Sequence, residues 1–328
     1  MTVEAQLLPY LQEQLGKDAA VKIEGPVRRS GGGSSKENYA FDASWLVDAH
    51  RDLHRLLVRR EAAAGVVATA ARTEFQLLRE LAGTDIPAPT SRWFDDGTWF
   101  QRPAMVVDRA AGRASRAALR DADPLALGTA GQVQLARDLA RVLVQVHSIP
   151  VPSALPDPGP HPAKAELDRW EGELDRVELA PQLELRLALR WLRDNLPDPV
   201  APRLVHGDAR PANLLVDDGR LSVLLDWELA HVGDPLDDLG WYTCSVYALE
   251  HTVAGHFTQD DFIATYELIS GAAVDRHRLR FWQVLSALRL AVIALTGVRN
   301  FVDGTTDRPA APPGRLLRTV LSDAVRSS

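Results

Sequence analysis

The sequence predicts an α+β chain in two unequal parts: a small antiparallel sheet carrying one helix, then a larger, mostly helical remainder that encloses a short hairpin. Three observations predict it. Apolar and polar residues alternate with period two in the stretch between Val21 and Val58, the pattern of half-buried strands. After Gly112 the spacing lengthens to the three-and-four period of helices, most clearly over Gln132 to Val146. That helical signal is broken by Arg203-Leu204-Val205-His206, Leu214-Leu215-Val216 and Leu221-Ser222-Val223-Leu224-Leu225, with Asp217-Asp218-Gly219 supplying turn chemistry between the last two.

Taken in order, residues 2 to 15 form a short helix, with Thr2 placed to cap it and Leu7, Leu8, Leu11 and Leu15 on one side, although Pro9 interrupts its middle. Three antiparallel strands follow, around Val21 and Ile23, over Tyr39 to Trp45 and over Leu56 to Arg59. Residues 69 to 82 return to helical spacing through Phe75, Leu78 and Leu81, and Gly83 with Pro87 and Pro89 ends that helix. A strand over Thr98 to Ala110, centred on Met105-Val106-Val107, completes the first part. The Ala/Arg-rich run at residues 109 to 120 reads as a solvated helix face, Pro150 to Pro162 as a loop and Leu183 to Leu196 as a helix stopped by Pro197. From Leu236 onward the chain reads as helical. The two parts are residues 1–110 and 111–328.

With 328 residues, 46% apolar and 25% charged, the chain has the make-up of a globular protein that buries a sizeable core without disulfides or structural metals. Lysine and arginine number 37 against 44 acids, a net charge of −7, which argues against a nucleic-acid partner. A single cysteine, Cys244, excludes an internal disulfide, a zinc ribbon and a CxxC pair, and fits a reducing, cytoplasmic setting. Met1 to Leu15 carries Glu4, Gln6, Pro9 and Glu13 where an export signal needs an apolar run. Leu290 to Val298, held between Arg289 and Arg299, is too short to span a bilayer and reads as a core helix, so no membrane partner is expected.

The densest polar constellation sits among the apolar strands of the second part: His206-Gly207-Asp208, Asn213, Asp226-Trp227-Glu228, Gly233-Asp234-Pro235 and Asp238. Asn213 follows Asp208 by five residues, and Asp226 follows Asn213 by thirteen. The hairpin brings these three to one end of one small sheet. Two carboxylates and an amide oxygen make a hard-oxygen site of the kind magnesium takes when phosphates supply its other ligands. A further group is then available to orient or deprotonate a hydroxyl.

This arrangement resembles the kinase catalytic loop. In detail it resembles the aminoglycoside phosphotransferase and choline kinase-like enzymes, and among them the phosphotransferase subgroup related to the kinase-like domains fused to acyl-CoA dehydrogenases. The stretches His206-Gly207-Asp208-x-Arg210-x-x-Asn213 and Asp226-Trp227-Glu228-Leu229-Ala230-His231-x-Gly233-Asp234-Pro235 carry the resemblance, which runs over most of the chain. It implies a bilobal protein kinase-like fold, ATP and Mg²⁺ as cofactors, and transfer of the γ-phosphoryl group to a hydroxyl of a small molecule. It implies Asp208 as the base or hydroxyl-orienting group, Asn213 and Asp226 as magnesium ligands, Asp238 as the brace of the catalytic loop, and His206 as a group that fixes the same loop. Ala209 departs from the bulkier residue common at its position.

In the first part, Ser30-Gly31-Gly32-Gly33-Ser34-Ser35-Lys36-Glu37-Asn38 lies between two predicted strands, where glycine lets the backbone approach phosphates. It is not a P-loop, and Lys36 stands where a Gly-x-Ser-x-Gly hydrolase elbow needs its last glycine. The resemblance implies that Gly31, Gly32, Gly33, Ser34 and Ser35 cover the nucleotide phosphates. It further implies Arg59 as the strand cation with Glu74 as its helix partner, and the linker from Asp108 to Ala110 as the backbone that reads adenine.

Arg210 is placed either to meet an anionic substrate group or to pair with a neighbouring carboxylate. With Arg276, Arg278, Arg280 and Arg289 it points to an anionic acceptor such as a hydroxy acid or hydroxyacyl-CoA, the other option being an aminoglycoside-like amino sugar, which wants an acidic pocket. Trp170, Trp191, Trp241 and Trp282 fall in helical segments and read as core, while Trp241 and Trp282, with Glu228, are also candidates to line the acceptor site. His50 with His54, and His251 with His256, read as solvated loop residues rather than metal ligands, and Cys244 as a small buried hydrophobe. Two other classes stay open: a non-catalytic nucleotide-binding protein on the same fold, and a metal-dependent phosphohydrolase using the same oxygen ligands.

Overall fold

Period-two alternation builds a five-stranded sheet from β1 (Lys22–Ser30), β2 (Lys36–Val47), β3 (His50–Glu61), β4 (Ser91–Asp95) and β5 (Ala104–Asp108), every pair antiparallel and the order β1-β2-β3-β5-β4. The computed structural model describes residues 2–30, 36–48, 50–62, 71–307 and 314–325. By internal packing the chain forms two units, Met1–Thr84 with Ala88–Ala111, and Asp85–Pro87 with Gly112–Ser328.

In the first unit, register sorts the side chains. Tyr39 pairs with Val58 and Phe41 with Leu56, and this face packs on Val3, Leu7, Tyr10 and Leu11 of α1 (Val3–Leu15). Thr2 stands at the cap position of α1 without a capping hydrogen bond, and Leu8 turns outward. The opposite face carries Arg59, which meets α2 (Ala71–Leu81). The strand expected over Thr98 to Ala110 is shorter than the alternation suggested. The Asp95 carboxylate accepts the N–H groups of Trp99 and Phe100 at 3.1 and 2.9 Å, folding that stretch into a turn. Ser91–Asp95 supplies the fifth strand instead.

The second unit holds α3 (Gly128–Ser148), α4 (Pro162–Val177), α5 (Leu183–Asp194), then β6 (Arg203–Val205), β7 (Leu214–Asp217), β8 (Arg220–Leu224) and β9 (His231–Gly233), and finally α6 (Leu236–Thr243), α7 (Gln259–Ser270), α8 (Arg276–Val302) and α9 (Gly314–Val325). The β7–β8 turn has φ +47° at Asp218 and +72° at Gly219, the two left-handed residues of the tight turn that matches strand twist. β6 pairs with β9, which no alternation announced because three residues are too few to show a period.

The run at residues 109 to 120 is not a helix. Arg113 exchanges backbone hydrogen bonds with Val216 at 2.8 and 2.9 Å, and Ala118 and Leu119 are buried. Helix α8, 27 residues long, is long and apolar enough by length and composition to cross a membrane, yet 67% of its most apolar stretch is buried within the protein. Its closest neighbour is α6, and the approach depends on Gly240, where a Cβ would stand 2.5 Å from the Cβ of Trp282. Trp241 and Trp282 are thereby buried, Trp282 donating its Nε1–H to Asp234 at 3.1 Å. They are core residues, which leaves them without an exposed face for an acceptor.

The histidine expectations change as well. His54 stacks flat on Trp45 with ring centroids 3.6 Å apart and lies within β3, not in a loop. His251 is fully buried between Tyr242 and Tyr247, facing the Tyr242 carbonyl at 2.7 Å, and burial pushes its pKa down to about 3.

Candidate active site

Strand β6 delivers the chain into His206-Gly207-Asp208, and the loop that follows is held by its own backbone groups. The N–H of His206 donates to Asp238 Oδ2 and that of Gly207 to Asp238 Oδ1, both at 2.8 Å. The N–H of Asp208 donates to His206 Nδ1 at 3.1 Å. Gly207 has φ +81°, and a Cβ there would sit 2.5 Å from the Leu229 carbonyl oxygen, so only glycine fits.

The same histidine spans the site. Because Nδ1 accepts from a backbone N–H, the ring is neutral and its Nε2–H donates to the Leu225 carbonyl, 3.1 Å away and one residue before Asp226. Burial lowers the pKa of His206, the neighbouring carboxylates only partly opposing it. Trp227 packs its ring edge-to-face on His206 and donates its Nε1–H to the Leu224 carbonyl at 2.8 Å.

The predicted trio comes together. Asn213 Nδ2 donates to Asp208 Oδ2 at 2.7 Å and to the Asp208 carbonyl at 2.9 Å, while the Asn213 carbonyl accepts the Leu225 N–H at 2.8 Å. Since its nitrogen is used on Asp208, Asn213 offers Oδ1 to a cation. Asp226 adopts φ +68°, ψ +68°, a left-handed conformation unusual for a side chain and found where a site requires a particular orientation. Arg210 Nε donates to Asp208 Oδ1 at 2.8 Å, so of its two expected roles the structure displays the carboxylate pair. Burial raises the Asp208 pKa; Arg210 opposes that rise and Asp226 adds to it.

Asp238, at the start of α6, is fully buried and braces the loop as described. His147 of α3 donates Nε2–H to Asp238 at 3.0 Å, and its Nδ1 lies 2.8 Å from the Tyr266 hydroxyl of α7. Although burial pushes the Asp238 carboxyl up, His147 and His206 hold it down to about 2.

In the first unit Arg59 donates to Glu74 Oε1 at 2.7 Å, the pairing that the resemblance implies, and Glu74 is fully buried. A second cation, Lys36, stands 3.5 Å from Glu74 Oε2 and is itself buried. Sequence reasoning missed it, although Asn38 pairs with Arg59, which places Lys36 two residues along on the same face. Arg60, next along β3, points the other way and binds Glu37. Asp108 donates its N–H to the Thr90 carbonyl at 2.9 Å and pairs its carboxylate with Arg92 at 2.5 Å, and Ala110 follows β5. Gly31, Gly32, Gly33, Ser34 and Ser35 lie outside the described residues.

The sequence profile of the phosphotransferase enzyme family matches residues 33–282. The chain belongs to the phosphotransferase enzyme family. Its curated relatives include acyl-CoA dehydrogenase family member 10 of Mus musculus, 25% identical over 292 residues. That alignment covers 81% of this chain but only 26% of the mouse protein, so the chain spans about a quarter of that relative's length. Among solved structures, a provisionally assigned aminoglycoside phosphotransferase of Ralstonia eutropha JMP134 superposes with a TM-score of 0.70 at 19% identity, covering 98% of this chain and 96% of that one. A thermostable mutant of aminoglycoside phosphotransferase APH(4)-Ia, solved with ADP and hygromycin B, gives 0.59 at 18% identity over 98% of both chains. Macrolide 2′-phosphotransferase MphH of Brachybacterium faecium gives 0.55 at 20% identity, covering 97% and 98%. The fold is therefore the kinase-like fold of these enzymes, and the chain is a phosphotransferase.

Within this phosphotransferase the arginines expected to meet an acceptor are largely engaged elsewhere. Arg289 is fully buried against Asp237, Arg278 pairs with Asp234 at 2.6 Å, and Arg276 with Asp260 at 3.2 Å. Arg276 and Arg280 line a cavity of about 430 Å³ together with Thr243, Thr258, Gln259 and Gln283. Glu228 is buried in the single turn that follows Asp226.

Proposed function

We propose that this phosphotransferase moves the γ-phosphoryl group of ATP, with Mg²⁺, to a hydroxyl of a small molecule. One observation carries the reading: over nineteen positions of sequence, Asn213 hydrogen-bonds Asp208 and, through its carbonyl, the Leu225 N–H next to Asp226, whose charge acts on Asp208. The donor set fits a hard divalent cation, with Asn213 Oδ1 and the Asp226 carboxylate as ligands and phosphate oxygens completing the shell. Magnesium bound there would neutralise phosphate charge as it shifts toward the leaving group.

The remaining work belongs to the chain. Asp208 orients the acceptor hydroxyl and takes its proton as the oxygen bonds to the γ-phosphorus and the bond from that phosphorus to the β,γ-bridging oxygen breaks, releasing ADP. Burial suits this role because it raises the proton affinity of the carboxylate, while Arg210 and Asn213 hold both oxygens in place. Lys36 and Arg59, sharing Glu74, are proposed to meet the α- and β-phosphates, with the glycine-rich loop over the phosphates and the Asp108 to Ala110 backbone against adenine. The fold neighbour solved with ADP and hygromycin B supports a nucleotide and a small-molecule acceptor here.

The test is transfer of labelled γ-phosphate from MgATP across amino sugars, hydroxy acids and hydroxyacyl thioesters. Labelled product from one class is expected and names the acceptor. Phosphate release from phosphorylated acceptors without any ATP requirement would contradict the reading.

A further inference from the structure

Behind the catalytic loop lies a second cluster of charge, built from buried Glu166 of α4, Asp237 of α6 and Arg289 of α8 with half-buried His231 of β9. Arg289 is its centre. Its Nη1 donates to Asp237 Oδ1 and its Nη2 to the carbonyl of Gly207, both at 2.6 Å. The guanidinium carbon lies 4.6 Å from the ring centroid of Trp241 and 5.4 Å from that of Trp170, between two aromatic rings. Trp170 in turn donates Nε1–H to Glu166 at 2.6 Å. His231 faces Asp237 Oδ2 at 3.2 Å through Nε2 and donates Nδ1–H to the Leu229 carbonyl at 3.0 Å.

Glu166, His231 and Asp237 bring ligand atoms within 4.8 Å of one another, a geometry a metal ion can use. Charge argues against it. Arg289 already donates to one of the three, Asp237, and with His231 and Arg169 it supports Glu166 in the ionised state, held down to about 2 against burial.

The contact with Gly207 gives the cluster a purpose. The peptide joining Gly207 to Asp208 is held at its N–H end by His206 Nδ1 and at its carbonyl end by Arg289 Nη2. We propose that Arg289 is a positioning residue for phosphoryl transfer: anchored by Asp237 and two indole rings, it holds the Gly207 carbonyl and thereby the direction in which Asp208 projects. This rests on the reading of Asp208 as the group that acts on the acceptor hydroxyl. A lysine cannot replace it, because one ammonium on a flexible stem does not present the planar fork that reaches Asp237 and Gly207 together.

The test uses the full chain with Arg289→Lys, Arg289→Met and Arg289→Ala, and two readouts. The first is amide exchange by mass spectrometry over residues 204–209. The second is steady-state turnover of MgATP, with water as acceptor where no better one is in hand. Exchange over residues 204–209 should rise in Arg289→Lys at a temperature where the helical segments remain as protected as in wild type. Turnover number should fall about 10- to 100-fold with the KM for MgATP unchanged, and guanidinium ion should restore part of it to Arg289→Ala. A residue serving stability alone would lower the melting temperature and leave turnover per folded molecule intact. Unchanged exchange at 204–209 together with unchanged turnover in a folded variant would overturn the proposal, and Arg289→Lys supplies that comparison if Arg289→Met or Arg289→Ala does not fold. Absence of MgATP turnover in wild type would instead contradict the functional reading, with exchange still deciding whether Arg289 holds the loop.

Discussion

His206 Nδ1 accepts the backbone N–H of Asp208 at 3.1 Å, which requires the imidazole to be neutral with its proton on Nε2. Burial lowers the pKa of this ring below the ordinary 6.5, so the folded chain binds that proton more weakly than the unfolded chain. The stability contributed by neutral His206 is therefore complete above 6.5 and is lost as pH falls through the folded value. Nitrogen-15 spectra of the imidazoles should show one ring that keeps its Nε2–H tautomer below pH 6.5 and disappears in His206→Gln. A His206 ring half protonated at or above 6.5 would contradict the geometry.

The shared carboxylate of Glu74 predicts a stability effect in the first unit. Glu74→Ala removes the counter-charge that Arg59 and Lys36 share in a buried setting. Breaking a buried ion pair from one side costs about 3–5 kcal/mol, so urea denaturation should show a loss of that order. The KM for MgATP should rise in any variant that remains folded, Glu74→Gln included. A change under 1 kcal/mol, roughly that of an exposed pair, would mean the pair is not the buried anchor described.

Gly207 and Gly255 form a natural comparison. Both have positive φ, +81° and +71°, but a Cβ at Gly207 meets the Leu229 carbonyl oxygen at 2.5 Å whereas one at Gly255 meets nothing within 4 Å. Gly255→Ala should cost only the left-handed backbone term of about 1 kcal/mol, and Gly207→Ala about 3 kcal/mol because overpacking adds to it. Turnover should fall only in Gly207→Ala. Equal losses by thermal melting and equal turnover would show that the close approach has no consequence.

These relationships divide sharply by sequence separation. The Asp208, Asn213 and Asp226 grouping was legible because local rules decide most of it: the Asp218-Gly219 turn starts the β7–β8 pairing, and an irregularity between Leu215 and Val216 shifts it by one residue so that Asn213 meets Leu225. Arg59 with Glu74 was legible only through the family resemblance, since no local rule joins a strand residue to a helix residue fifteen positions on. Arg289 with Gly207, 82 residues apart, was not, because only the packing of α8 against the loop creates that contact. Core and acceptor-lining readings of Trp241 and Trp282 both stood in the sequence, because their burial follows from the Gly240 approach, a tertiary event that leaves no periodic mark. His251 was misjudged likewise, its neighbours Tyr242 and Tyr247 closing over it only when the turns after α6 pack. Lys36 belonged to a strand face whose register could be read only once Asn38 was known to pair with Arg59.

The proposed magnesium ligands are separable from the base by titration. Asp226→Asn removes a charged oxygen donor, and at 1.4 kcal/mol per decade a loss of one such ligand should raise the half-saturating magnesium concentration about tenfold or more. Asn213→Ala should raise it too, and should also release Asp208 Oδ2 from its 2.7 Å hydrogen bond, lowering turnover at saturating magnesium. Unchanged magnesium dependence in both variants would remove this pair from the metal site.

The central claim is that Asp208 acts on the acceptor hydroxyl, and turnover of Asp208→Ala tests it most directly. The variant should bind MgATP as wild type does by calorimetry, since Asp208 is not assigned to the nucleotide. Phosphoryl transfer should fall about 10²- to 10⁴-fold, the usual contribution of a positioned proton acceptor. Undiminished transfer in Asp208→Ala would contradict the account.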